Sequence, residues 1–258
     1  MNMKTESERQ EALHHFNQMA DYYDDYRPDY PDELVKTIID KAGLTTGSKA
    51  LEIGAGSGKA TAQFADFGFE MVCIEPGADL AEKGSGRFKG KNIRFIVSRF
   101  EDYAEPREYF DAILSAQAFH WVEQPIGFEK CANALKKGGY LAIFWHQDFF
   151  RREFNLDREL MAIVDKHNGW VSCMPEEDYP KRMESITLNI VGSGLFTKPE
   201  IIHFYWEHNF SADEYFRYML TGNTSLEQAC HEELTQLAQT YNGIKRKFHY
   251  ELYLTQKL

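Results

Sequence analysis

Residues 50–58 read Ala-Leu-Glu-Ile-Gly-Ala-Gly-Ser-Gly, and this stretch gives the strongest indication of the fold of the whole chain. Its apolar first half predicts a short strand that carries one acid, Glu52. Three glycines follow at alternate positions, Gly54, Gly56 and Gly58, and a helical pattern comes next. Glycine allows a tight turn and leaves no side chain between the backbone and a ligand. The stretch therefore predicts a strand, a ligand-binding turn and a helix.

The glycine spacing separates two classes of nucleotide-binding turn. A dinucleotide fingerprint requires a glycine five positions after the first, and that position is Lys59. The spacing therefore disfavours an NAD-dependent oxidoreductase, which we keep as a weaker alternative. Glu75 ends the next predicted strand about 20 positions after Gly54, where such folds place an acid on the ribose hydroxyls. Because Glu75 lies at a strand end, we expect its replacement to leave folding intact.

The composition favours one globular protein that acts on neither membranes nor nucleic acids. The 258 residues allow a large buried core, and we predict a single domain over residues 1–258. No apolar run is long enough to span a membrane, no signal peptide is evident, and the net charge of −11 disfavours a polyanionic partner. The four cysteines are scattered along the chain. We therefore expect reduced thiols, no metal site and a cytoplasmic protein.

The remaining apolar segments alternate between strand and helix patterns. Strands are expected at residues 69–74, 92–98, 140–145, 201–206 and 247–254, and residues 111–121 are expected to form a fourth strand that runs into a loop. This alternation predicts a doubly wound α/β sheet. Residues 148–194 change to helical patterns after the fifth strand. An insertion at this point lies at the carboxyl edge of such a sheet, so we interpret it as a helical cap over the ligand.

Several motifs together resemble the class I S-adenosylmethionine-dependent methyltransferases. Besides the Glu-x-Gly-x-Gly-x-Gly turn and Glu75, they are Arg-Pro-x-Tyr-Pro at 27–31, Phe-His-Trp at 119–121 and Gly-Gly at 138–139. The Phe-His-Trp loop resembles one well-populated branch of these enzymes. The resemblance implies a Rossmann-like, mostly parallel seven-stranded sheet whose last strand is antiparallel. It also implies S-adenosyl-L-methionine as cofactor and methyl transfer to a small, partly apolar acceptor.

The resemblance further implies which side chains surround the cofactor. Glu52 would face the ammonium group, Arg27 the carboxylate and Glu75 the ribose hydroxyls. The adenine amino group would meet Glu101 or Asp102, because the position where the family often has an earlier acid is Arg99. The full predicted set is Tyr23, Arg27, Glu52, Gly54, Gly56, Gly58, Glu75, Phe100, Glu101 and Gln117.

The aromatic segment at residues 1–30 allows two interpretations. It is either a helix packed through its aromatic side chains and stopped by Pro28, or an element that folds over the cofactor, as a similar one does in many small-molecule methyltransferases. In the second interpretation, Tyr22 and Tyr23 join the Phe-His-Trp loop and the cap in forming the acceptor pocket.

The acceptor chemistry rests on His120, which follows strand four. It could take a proton from an acceptor hydroxyl or amine, or it could simply pack beneath the cap. His146, at the end of strand five, is a second candidate with a weaker claim. The other alternative for the whole protein is a non-catalytic sensor or scaffold that keeps the fold and the cofactor.

Overall fold

The computed structural model describes residues 26–167, 173–175, 178–221, 226 and 228–258. The N-terminal aromatic segment with Tyr22 and Tyr23 therefore lies outside the described residues. So does part of the predicted cap, at residues 168–172 and 176–177. Within the described ranges, no helix is both long enough and apolar enough to cross a membrane.

One mixed sheet forms the centre of the molecule. Its main path runs β3-β2-β1-β4-β5-β8-β7, and β6 pairs with β5 off this path. β1 to β5 are mutually parallel, whereas β8 runs antiparallel to both β5 and β7. The expected seven-stranded, mostly parallel sheet with an antiparallel last strand is confirmed, and the short β6 is an addition. The strands are β1 (Lys49–Ile53), β2 (Glu70–Glu75), β3 (Ile93–Val97), β4 (Phe110–Ala116), β5 (Leu135–Phe150), β6 (Cys173–Pro175), β7 (Glu200–Phe210) and β8 (Ile244–Gln256).

Successive side chains of a strand point to opposite faces of the sheet, so apolar side chains lie on both faces. Helices cover both faces and bury these side chains. In β4, Leu114 joins one buried apolar cluster and Ile113 joins the other. Helices α1, α2, α5, α7 and α8 contribute to the first cluster, and α4 and α6 contribute to the second. The helices are α1 (Asp32–Ala42), α2 (Lys59–Phe64), α3 (Ala78–Arg87), α4 (Ile126–Ala134), α5 (Asn155–Lys166), α6 (Tyr179–Gly192), α7 (Ala212–Leu220) and α8 (Gln228–Tyr241).

The segment predicted as a cap is divided between the two faces of the sheet. β5 continues to Phe150, beyond the strand end expected at residue 145. α5 then buries Leu160 and Val164 in the first apolar cluster. α6 buries Ile186 and Ile190 in the second. Both described helices of the segment thus contribute to the core, and a cap over the carboxyl edge stays a prediction.

A buried ion network ties β5 to α5 and β8. The Arg246 guanidinium, which is 2% exposed, donates from Nη2 to Asp148 Oδ1 at 2.7 Å and from Nη1 to Asp157 Oδ1 at 2.6 Å. The second oxygen of Asp157 accepts the Arg151 backbone N–H at 2.9 Å. Both carboxylates are buried, so their charges need compensation, which comes mainly from Arg246 and in part from Arg151, whose Nε lies 3.6 Å from Asp157 Oδ2.

Candidate functional site

A cavity opens where the parallel strands end at their carboxyl edge. Ligands of open α/β sheets bind at this edge. Eight of the ten predicted cofactor residues line the wall of this cavity: Arg27, Glu52, Gly54, Gly56, Glu75, Phe100, Glu101 and Gln117. Of the other predicted site residues, Gly58, Asp102 and His120 lie outside the wall, and Tyr23 is not among the described residues.

The three glycines of the turn have different roles despite their common conformation. All three have positive φ angles, 68° at Gly54, 58° at Gly56 and 86° at Gly58. A Cβ at Gly54 would lie 2.3 Å from the Ala118 Cβ, and one at Gly58 would lie 2.4 Å from a ring carbon of Phe88. Among residues 26–167 and the other described ranges, a Cβ at Gly56 would meet nothing within 4 Å. Gly54 and Gly58 therefore permit close packing, whereas Gly56 keeps cavity space clear of side chains.

Glu75 builds the turn as well as lining the cavity. Its Oε2 accepts the Gly56 N–H at 2.8 Å, and its Oε1 accepts the Gly77 N–H at 2.8 Å. The side chain is only 6% exposed, and burial raises the pKa of the carboxyl. Our expectation that its replacement leaves folding intact is therefore corrected, because two backbone donors depend on it. Each carboxylate oxygen keeps a further lone pair for a ligand hydroxyl.

Glu52 is a buried acid at the centre of the cavity wall. It is 1% exposed, and its Oε2 accepts the Thr61 hydroxyl at 2.6 Å. Burial raises the pKa of Glu52 to about 7, opposed by the Thr61 hydrogen bond and assisted by the negative charge of Glu75. A ligand cation beside Glu52 would favour its ionised form.

Of the two acids expected at the adenine end, the structure brings only Glu101 to the cavity. Its Oε1 accepts the Glu123 backbone N–H at 2.7 Å, and Arg99 Nη2 lies 3.8 Å from the same oxygen. Phe100 is buried and also forms part of the wall. Asp102 is exposed and lies outside the wall.

Gln117 and His146 form a pair that the sequence did not reveal. Gln117 has a left-handed backbone with φ 57°, and its N–H donates to the Phe144 carbonyl at 2.9 Å. Its side-chain Nε2 lies 2.5 Å from His146 Nδ1 and 3.3 Å from the His146 carbonyl oxygen. Both side chains line the cavity. The sequence pointed to each residue separately, to Gln117 as a cofactor contact and to His146 as a candidate base, but not to their pairing.

His120 does not line the cavity. Its Nδ1 accepts the Trp145 Nε1–H at 3.2 Å, and its ring packs 5.0 Å from the Trp121 ring, centroid to centroid. In the Phe-His-Trp loop it is Trp121 that lines the cavity, together with the nearby Ala118 and Val122. None of the described residues of segment 148–194 lines the cavity. The role of His120 as a base stays a prediction.

The chain matches known methyltransferases in sequence. Residues 51–143 match a family model described as "Methyltransferase domain". A Dictyostelium discoideum protein named as a methyltransferase is 31% identical over 59% of this chain and 55% of its own length. The Saccharomyces cerevisiae protein named probable S-adenosylmethionine-dependent methyltransferase CRG1 is 31% identical over 67% of this chain and 60% of its own length. The matches thus span little more than half of these relatives.

Solved structures show the same fold at low sequence identity. A protein from Anaeromyxobacter dehalogenans described as a type II methyltransferase superposes with a TM-score of 0.61 at 17% identity, covering 90% of this chain and 97% of that one. Haemonchus contortus phosphoethanolamine N-methyltransferase 2, solved with phosphomonomethylethanolamine and S-adenosylhomocysteine, gives 0.56 at 14% identity, covering 97% of this chain and 60% of that one. These likenesses confirm the Rossmann-like fold.

Proposed function

We propose that the protein transfers a methyl group from S-adenosylmethionine to a small-molecule acceptor, because residues 51–143 match a methyltransferase domain. The turn at Gly56 carries this proposal. Its open side faces the cavity, and the buried acids Glu52 and Glu75 line the same wall. This arrangement suits a ligand that carries a cation and a ribose and needs close backbone approach.

The residues of the cavity fit this cofactor end by end. Among the described residues, Thr61 and Glu75 are the groups that affect the pKa of Glu52, and neither is a cation. The methionine ammonium would supply a positive charge beside this carboxyl group. Arg27 would hold the carboxylate. Glu75 would accept the ribose hydroxyls with the lone pairs left by its two backbone hydrogen bonds.

The adenine end and the reaction itself require less of the protein. Phe100 would lie against the base and Glu101 would receive its amino group, since both line the cavity. The bound cofactor supplies a methyl group already activated by its sulfonium, and the side chains orient the reactants and exclude water. Because the cofactor would bring the activated methyl group, the proposed site needs mainly side chains that bind and orient the reactants.

The acceptor is proposed to be small and partly apolar. Tyr30, Phe100 and Trp121 supply aromatic surface to the cavity, and the net charge of −11 disfavours a polyanion. The structural neighbour from Haemonchus contortus binds a small amine ester, phosphomonomethylethanolamine, which supports the same size class here.

Ligand-induced stabilisation tests the proposal directly. S-adenosylmethionine or S-adenosylhomocysteine at 100-fold above its Kd is expected to add roughly 2.7 kcal/mol to the free energy of unfolding, which raises the melting temperature. A shift with NAD and none with either sulfur nucleoside would overturn the proposal. Turnover is then followed as release of S-adenosylhomocysteine over a panel of acceptors. Tight binding without any turnover would favour the sensor or scaffold alternative.

Glu75→Ala is expected to weaken S-adenosylhomocysteine binding by about 10- to 150-fold, because hydrogen bonds to a charged acceptor are worth roughly 1.5–3 kcal/mol. It is also expected to lower the free energy of unfolding by about 1–3 kcal/mol, since Gly56 and Gly77 lose their acceptor. Calorimetry and urea denaturation measure the two effects. The exposed Asp79→Ala serves as the charge-matched control. Equal affinity in wild type and Glu75→Ala would remove the ribose assignment.

Glu52→Gln is expected to change how stability depends on pH. Burial raises the folded-state pKa of Glu52 from 4.5 to about 7, so the ionised group favours the unfolded chain. The advantage that the protonated group gives below pH 4.5 is lost as pH rises through 7. Relative to Glu52→Gln, the ligand-free wild type should therefore lose on the order of 3 kcal/mol between those limits. Urea denaturation across this range, with the exposed Glu82→Gln as control, checks the prediction, and a flat difference would contradict it.

A further inference from the structure

One polar atom of the cavity is left unused by the proposed function, the Nε2 nitrogen of His146. The side chain is 2% exposed and lines the cavity from a position within β5. Among the residues that the structure describes, Nε2 has no hydrogen-bond partner. Buried polar atoms are nearly always paired in native proteins. An unpaired nitrogen in a cavity wall therefore points to a ligand atom as its partner.

The neighbouring Gln117 determines which ring nitrogen carries the proton. The Gln117 amide nitrogen lies near two acceptors of His146, the ring Nδ1 at 2.5 Å and the carbonyl oxygen at 3.3 Å. An amide NH2 satisfies both, whereas a flipped amide oxygen would oppose the carbonyl oxygen. Nδ1 is thus an acceptor, and the neutral ring carries its hydrogen on Nε2. The unpaired atom is therefore a donor.

The surroundings of the ring are positive. Arg27 and Lys59 line the same cavity, although Lys59 also pairs with Asp29 at 2.8 Å. Burial first, and then the charges of Arg27, Lys59 and Arg182, lower the pKa of His146 to about 3. The ring stays neutral near pH 7 and is too weak a base to take a proton from an acceptor. A neutral N–H in a positive environment suits an anionic oxygen.

We propose that His146 Nε2–H is the neutral donor of a carboxylate-binding subsite at the β4–β5 end of the cavity, with Arg27 as its charged partner. The subsite rests on the proposed function in that a ligand of the same cavity supplies the carboxylate. β5 lies two strands from β1, roughly 10 Å at sheet spacing. The carboxylate therefore belongs either to the methionine part of the cofactor or to the methyl acceptor.

Calorimetry with three probes separates these sources. In His146→Leu, a loss of about 10- to 150-fold in S-adenosylhomocysteine affinity, with unchanged binding of 5′-methylthioadenosine, assigns the subsite to the cofactor carboxylate. Unchanged binding of both nucleosides, with the same loss for hexanoate on the S-adenosylhomocysteine-loaded protein, assigns it to the acceptor. His146→Gln, which keeps an amide N–H at this reach, should recover part of the loss. Unchanged affinity for all three probes in His146→Leu would overturn the proposal.

A second measurement needs no substitution. In protein labelled with ¹⁵N-histidine, the His146 ring is expected as the neutral Nε2–H tautomer at pH 7, and its Nε2 signal should move when the carboxylate probe binds. A ring protonated on Nδ1 would overturn the subsite even if both nucleosides bind. Failure of the wild type to bind either nucleoside would instead reject the proposed function, and hexanoate titrated into the ligand-free protein would then test the subsite alone.

Discussion

Gly56→Val is expected to lower the affinity for S-adenosylhomocysteine by roughly 100-fold or more, about 2.7 kcal/mol. No atom of the described residues lies within 4 Å of a Cβ at this position, and the backbone there is part of the cavity wall. The valine side chain would therefore occupy space that the ligand needs. A β-branched residue at φ 58° also strains the turn by about 1–3 kcal/mol, so folding must be measured beside binding.

Gly90→Val is the matched control for that strain. Gly90 has φ 86°, is exposed, and has no atom of the described part of the chain within 4 Å of its added Cβ, but it lies outside the cavity wall. We expect this variant to lose stability without losing affinity. Calorimetry of S-adenosylhomocysteine binding and thermal melts of both variants give the comparison. Affinity within a few-fold of wild type in Gly56→Val would mean that the ligand does not pass over this part of the turn.

Arg246→Met is expected to lower the free energy of unfolding by about 3–5 kcal/mol. The substitution leaves the buried carboxylates of Asp148 and Asp157 without their main cation, and the more distant Arg151, 3.6 Å from Asp157 Oδ2, replaces it only in part. Burial already raises the pKa of Asp148, and Arg246 opposes that rise. Without the arginine, the two acids must take up protons or draw in water, and both responses weaken the contact between β5, α5 and β8.

The neighbouring Lys245 supplies the control. It forms an ion pair with Glu207 at 3.1 Å, and both side chains are more than half exposed. Lys245→Met should change stability by no more than about 1 kcal/mol, because exposed ion pairs contribute little. Urea denaturation of the two variants compares a buried network with an exposed pair one residue away. A similar small loss in both would show that the buried carboxylates are not held as charges.

The bounds of β2 and β3 could be predicted from the sequence to within about one residue, but those of β5 could not. Apolar periodicity identified residues 140–145, yet β5 extends over residues 135–150. The extension at one end includes Gly138 and Gly139, which read as a turn. At the other end it includes Asp148, whose pairing with Phe248 and contact with Arg246 come from β8. A strand end thus depends on a partner that lies about 100 residues away in the chain.

The site divides in the same way. Gly56 and Glu75 could be predicted because their roles follow from a local pattern, a turn without side chains and an acid after the next strand. The pairing of Gln117 with His146 joins the residue that follows β4 to a residue within the adjacent β5, and only the sheet register brings them together. His120 had a clear sequence signal, but its ring packs against Trp121 and Trp145 instead of lining the cavity.

The double role of Glu75 restricts how this protein can evolve. Its carboxylate supports the turn through the Gly56 and Gly77 N–H groups and faces the cavity at the same time. Glu75→Asp would draw the oxygens back by one methylene, which disturbs the turn and the ligand contact together. A lineage that changes its nucleoside preference at this position must first gain another acceptor for the two N–H groups. The order of substitutions is therefore constrained, and the same residue is a poor first choice for redesigning ligand specificity.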